Sequence, residues 1–134
     1  PAYLAARPFV GLAGHDFIGW CETRAHLPAA AWMERALRGQ PLALATTTLG
    51  AQLVAAKAGL GLAVLPHFLA AQHGLICVQP ELGADQDVWL AVHADVARTP
   101  RVRAVADFLT ELIQANRLVL EAPSGPEIPA GAGS

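Results

Sequence analysis

The sequence predicts an α/β fold, a parallel or mixed sheet flanked by helices. Residues 49–66, LGAQLVAAKAGLGLAVLP, pass from an amphipathic helix through a glycine stop into a short apolar strand, which is one helix–strand unit of a parallel sheet. Strand-like apolar runs also alternate with longer stretches of helix formers along most of the chain. Crossovers between parallel strands then place helices on the sheet faces.

Bulk properties narrow the function. A chain of 134 residues holds one modest core and no second independent one. Its formal net charge of −2 lacks the basic footprint of a domain that grips phosphate backbone. Apolar residues make up 54% and charged residues 15%, which predicts some apolar surface that meets another domain or subunit. Cys21 and Cys77 lie far apart, and neither a secretory leader nor an apolar run of membrane-spanning length is visible. Two buried thiols in a reducing cytoplasm, with no membrane association, are the expectation.

The elements follow in order. A short loop leads into a strand at Asp16–Cys21 with Phe17 and Ile18 inside. Pro28–Arg38 has proline at a helical start, and Ala31, Met33 or Ala36, and Leu37 give one apolar face. Pro41–Thr47 is β-like. The next helix carries Leu49, Leu53, Val54 and Ala58 at helical spacing, with Gly59 just past its end, and Leu60–Leu65 is a strand stopped by Pro66. A helical turn around Phe68–Gln72, an edge strand at Leu75–Gln79 and a polar loop at Pro80–Asp87 come next. Val88–His93 alternates as a strand. Thr99 caps a helix opened by Pro100 and running to Gln114, with Val102, Val105, Ala106, Leu109 and Leu112 or Ile113 as its apolar stripe. Beyond Leu120 the composition turns to Pro, Gly, Ala and Ser, a linker-like end. The sheet is therefore expected to contain Phe17–Trp20, Leu42–Ala45, Leu60–Val64 and Leu75–Val78, with helices Ala30–Leu37 and Leu49–Ala58 packed on it.

Few residues suggest catalysis. Gly59-Leu60-Gly61 follows a helix and opens a strand, the reverse of the order a phosphate-cradling loop needs. His15, His26, His67, His73 and His93 include no pair at helical metal-ligand spacing backed by a carboxylate. No GxSxG elbow occurs, and the only serines are Ser124 and Ser134. A thiolate pair of Cys21 with His15 or His26 has no spacing to support it. Neither a catalytic residue, a metal nor a cofactor is expected. Arg98, Arg101 and Arg103 cluster at a helix start, where cations oppose the macrodipole; a solvated surface and a contact with an acidic partner both fit.

Thr46, Thr47 and Thr48 are the most suggestive polar residues, since they end a strand and start the helix beginning at Leu49. Plain capping needs only one hydroxyl. The other reading is a ligand site, because small anions bind at the carboxyl ends of parallel strands, where hydroxyls meet the open amides of a helix start. Trp20 and Cys21 end the neighbouring strand and face the same edge, with Trp20 either cleft wall or core.

Residues 49–66, together with Val88–Leu109 and its words VWLAVH and PRVRAVADFL, resemble the effector-binding region of LysR-type transcriptional regulators. The usual pattern there is a helix ending AGLGIAxLP and a later WLVxH segment followed by PRVRAxxDFL. The resemblance implies a periplasmic-binding-protein-like (type II) lobe. Residues 1–86 would be the second lobe, 87–121 a strand and helix returning to the first, and 122–134 a flexible tail. It further implies a small-molecule effector held by Thr46, Thr47, Thr48, Leu49, Trp20 and Cys21, and a homodimer or higher oligomer. DNA would be reached only through an N-terminal helix-turn-helix domain outside this stretch. A solute-binding protein of the same two-lobed architecture is the alternative, which a signal peptide would mark.

Overall fold

A computed structural model describes residues 2–121. Three parallel strands, β1 (Phe17–Trp20), β2 (Leu44–Thr46) and β3 (Leu62–Ala63), form one sheet in the order β2-β1-β3. Ile18 pairs with Leu44 on one side and with Ala63 on the other. Among the described residues six helices accompany the sheet: α1 (Ala2–Ala6), α2 (Pro28–Leu37), α3 (Leu49–Lys57), α4 (His67–Gln72), α5 (Pro100–Ala115) and α6 (Arg117–Glu121), with a 3-10 turn at Glu22–Arg24.

Chain order dictates which helix covers which face. The connections β1 to β2 and β2 to β3 run in opposite directions across the sheet, so right-handed crossovers put α2 and α3 on opposite faces. Phe17 accordingly packs with Met33 and Leu37 of α2, joined by Leu12, Trp32, Leu42, Leu62 and Val64. Strand alternation turns Ile18 to the other face, where it is fully buried. Pro28 opens α2 as expected, and Arg38 closes it in the left-handed conformation (φ 50°).

Gly59 ends α3 as the spacing predicts. Its φ is +81°, its N–H donates to the Ala56 carbonyl at 3.1 Å, and the Leu60 N–H donates to the Ala55 carbonyl at 3.1 Å. This pair of bonds is a Schellman closure. Gly61 is required for a different reason, close approach: a Cβ there would stand 2.8 Å from the Asp16 carbonyl carbon.

Several expectations need correction. A loop leads into β1 as expected, but ahead of it stands the short helix α1, held by the Tyr3 hydroxyl, which accepts the Asp16 N–H at 2.9 Å, and by an Arg7–Asp16 ion pair. Leu75–Gln79 is not a strand; only an isolated bridge forms at Cys77. Val88–His93 forms no strand either, and Trp89 is 84% exposed. A strand exists through its ladder, and among the described residues no strand runs beside this segment. Thr99 stands at the N-cap of α5, but its side chain makes no capping bond. No residue of α5 is buried, and its stripe residues Val105, Leu109, Leu112 and Ile113 are exposed. Cys21 and Cys77 are half-buried rather than buried, and no disulfide joins them. The predicted tail, 122–134, lies outside the described residues.

The buried face of α3 is also not the expected one. Gln52, Leu53 and Ala55 are buried, while Val54 is 66% exposed. A helix apolar on nearly every side offers periodicity no single face to select.

Candidate functional site

The site is built where β2 ends and α3 begins, at the carboxyl edge of the sheet. Trp20 pairs in register with Thr46, and the Cys21 N–H donates to the Thr46 carbonyl at 3.0 Å. The ladder thus brings Trp20, Cys21 and Thr46 together at the backbone, as expected. From Thr46 the chain turns directly into α3. The Thr46 hydroxyl donates to the Thr48 carbonyl at 3.0 Å, and the Thr48 hydroxyl accepts the Ala51 N–H at 3.2 Å.

The three threonines therefore divide. Thr48 is the N-cap of α3 and Thr46 locks the turn behind it. Thr47 is exposed and takes no part in these bonds. Following in the chain are the amides of Leu49 and Gly50, the first two of the helix, which have no intrahelical carbonyl to donate to. A Cβ placed on Gly50 would meet nothing within 4 Å, so the Gly50 side of α3 is uncovered. Open amides at the positive end of a helix dipole are groups that favour a small anion or an acceptor oxygen.

Trp20 and Cys21 border a separate hollow at the same edge, about 290 Å³, lined also by Glu22, Met33, Glu34 and Leu37. None of the threonines lines it. Trp20 is half-buried there, between the two roles foreseen for it. The Cys21 thiol lies 2.9 Å from the Thr23 hydroxyl, and that hydrogen bond, opposed by desolvation, lowers its pKa below the ordinary thiol value.

Reading the sequence missed Gln52. It is 1% exposed, and its Nε2 has no hydrogen-bond partner. A buried amide donor left unmade costs about 1–3 kcal/mol. A polar residue within an apolar stretch of the helix was its sequence signal. A further cavity of about 150 Å³ lies away from this edge, lined by Leu12, Phe17, Trp32, Leu62, Ile76 and Val78 among others.

The histidines do not converge. His15 contacts the Tyr3 hydroxyl at 3.3 Å and stacks on Phe9, and His93 sits exposed beside Asp95. Among the described residues no group of three His, Cys, Asp or Glu side chains could hold a metal ion. Arg98, Arg101 and Arg103 are exposed. No described helix is long and apolar enough to cross a membrane.

Residues 1–114 match the family model described as the LysR substrate binding domain. No curated protein and no solved structure matches the chain.

Proposed function

Because the chain belongs to the LysR substrate-binding-domain family, whose fold is periplasmic-binding-protein-like and whose members are regulatory rather than catalytic, we propose that it senses a small-molecule effector at the start of α3. What supports this reading is that Thr47 is exposed just before the helix start while Thr48 alone supplies the cap. Trp20 and Cys21 form the neighbouring rim, and Thr46 holds the turn.

On this reading residues 1–86 are the second lobe of a two-lobed domain, and 87–121 lead back toward the first. Effector closure between the lobes controls an attached helix-turn-helix domain, through which DNA is bound. The exposed stripe of α5 is covered by another lobe or a second copy of the chain.

The test is a thermal-shift screen of small organic acids, since a ligand that binds only the native state raises its melting temperature. A hit whose shift is lost in Thr47→Val, with the unliganded melting temperature unchanged, supports the reading. A hit indifferent to Thr47→Val returns the threonines to capping and turn-locking.

A further inference from the structure

Leu75–Val78, LICV, is an apolar run of the kind a buried strand uses, yet it forms only an isolated bridge at Cys77. Ile76 and Val78 are left half-buried. They border the cavity of about 150 Å³, whose other walls include Leu12, Phe17 of β1, Leu62 of β3, and Trp32 and Met33 of α2. We propose that this cavity is a second small-molecule site, which holds a neutral molecule built on a single aromatic ring.

The walls define that class. Phe17 and Met33 are buried core residues, and Leu12, Trp32 and Leu62 pack against their cluster while only partly buried themselves. The core therefore ends at this cavity without closing over it. A space of this size walled by aliphatic and aromatic side chains admits one benzene ring, whereas a helix or strand needs far more room, so the occupant is a small molecule and not a chain segment. Among the described residues that line the cavity none is Asp, Glu, Lys or Arg. A carboxylate or ammonium brought there would lose its hydration and gain no opposite charge. Phe17 and Trp32 supply aromatic surface and the Met33 thioether a soft partner for a ring.

The site is independent of the effector reading above. None of Trp20, Cys21, Thr46, Thr47, Thr48 and Leu49 lines it, so either can fail without the other.

The experiment titrates toluene into the chain with its Leu, Ile and Val methyls labelled with ¹³C. The inference expects saturable shifts at Leu12, Leu62, Ile76 and Val78, nuclear Overhauser contacts from the toluene ring to these methyls, and a melting temperature that rises with toluene concentration. Ala70→Leu, which enlarges a side chain of the lining, should weaken toluene binding about tenfold, and Thr47→Val should leave it unchanged. Sodium benzoate, the same ring bearing a charge, should make no contact with the four methyls. Benzoate contacts as strong as those of toluene would overturn the neutral class. Toluene that contacts only the exposed side chains of α5, that shifts none of the four methyls saturably, or that binds a folded Ala70→Leu like the parent would overturn the site. The parent's own methyl contacts decide the matter where Ala70→Leu fails to fold.

Discussion

The Asp16 carbonyl accepts the Leu62 N–H at 2.9 Å, and the same carbonyl group occupies the space that a side chain on Gly61 would need. Strand β3 enters the sheet against β1 with no room for a Cβ, and its neighbour Asp16 also anchors α1 through Tyr3 and Arg7.

Gly61→Ala is therefore expected to destabilise the chain by about 1–3 kcal/mol, the usual cost of forcing atoms into occupied space. Gly50→Ala, where a Cβ meets open space inside a helix, should stabilise it by about 0.5–1 kcal/mol. Urea denaturation of both variants reads the contrast, and equal effects would contradict it.

Thr48→Ala removes the hydroxyl that accepts the Ala51 N–H and should cost about 0.5–2 kcal/mol. Thr47→Val should change stability by under about 0.5 kcal/mol, as expected of an exposed residue outside the cap. Helical circular dichroism against temperature separates the two, and a Thr47→Val loss as large as that of Thr48→Ala would refute the division of roles.

The Cys21 thiol is held below the ordinary thiol pKa, mainly by its hydrogen bond to Thr23. Its thiolate fraction at neutral pH is raised accordingly, and alkylation by iodoacetamide should reach half its plateau rate at a pH below that of an unperturbed thiol. Thr23→Val should move that midpoint upward. Mass spectrometry of the Cys21 peptide across a pH series checks both.

Val105, Phe108, Leu109, Leu112 and Ile113 of α5 are all exposed, Phe108 by 61%. Burying such side chains gains roughly 1.5–3 kcal/mol each, so the chain should self-associate. Sedimentation velocity is expected to show species heavier than one chain, and the double variant Leu109→Glu, Ile113→Glu should shift them to monomer. A monomeric parent would count against the prediction.

Much of this was legible in the sequence where local chemistry acts alone. Pro28 and Pro100 mark helix starts and Gly59 marks a helix end because each owes its place to its own backbone geometry. Thr46–Thr48 could be read as a strand-to-helix turn, but not their division of labour. Which hydroxyl caps α3 depends on where Ala51 lies relative to Thr48. Val88–His93 misled because alternation records a side-chain pattern, while a strand also needs a neighbour. Gln52 went unread because burial on α3 depends on how the helix is rotated against the sheet, and its apolar surroundings conceal that rotation.

The strand order carries a consequence for how the chain is made. β1 lies at the centre of the sheet yet comes first in sequence, and both of its partners are synthesised later. Phe17 and Ile18 thus leave the ribosome well before Leu62 and Ala63, which complete the ladder. Until then an apolar strand has an open edge, the condition in which nascent chains pair with the wrong neighbour. Non-local parallel pairing of this kind folds slowly, so an expression host with ample chaperone capacity should raise the soluble yield of this chain.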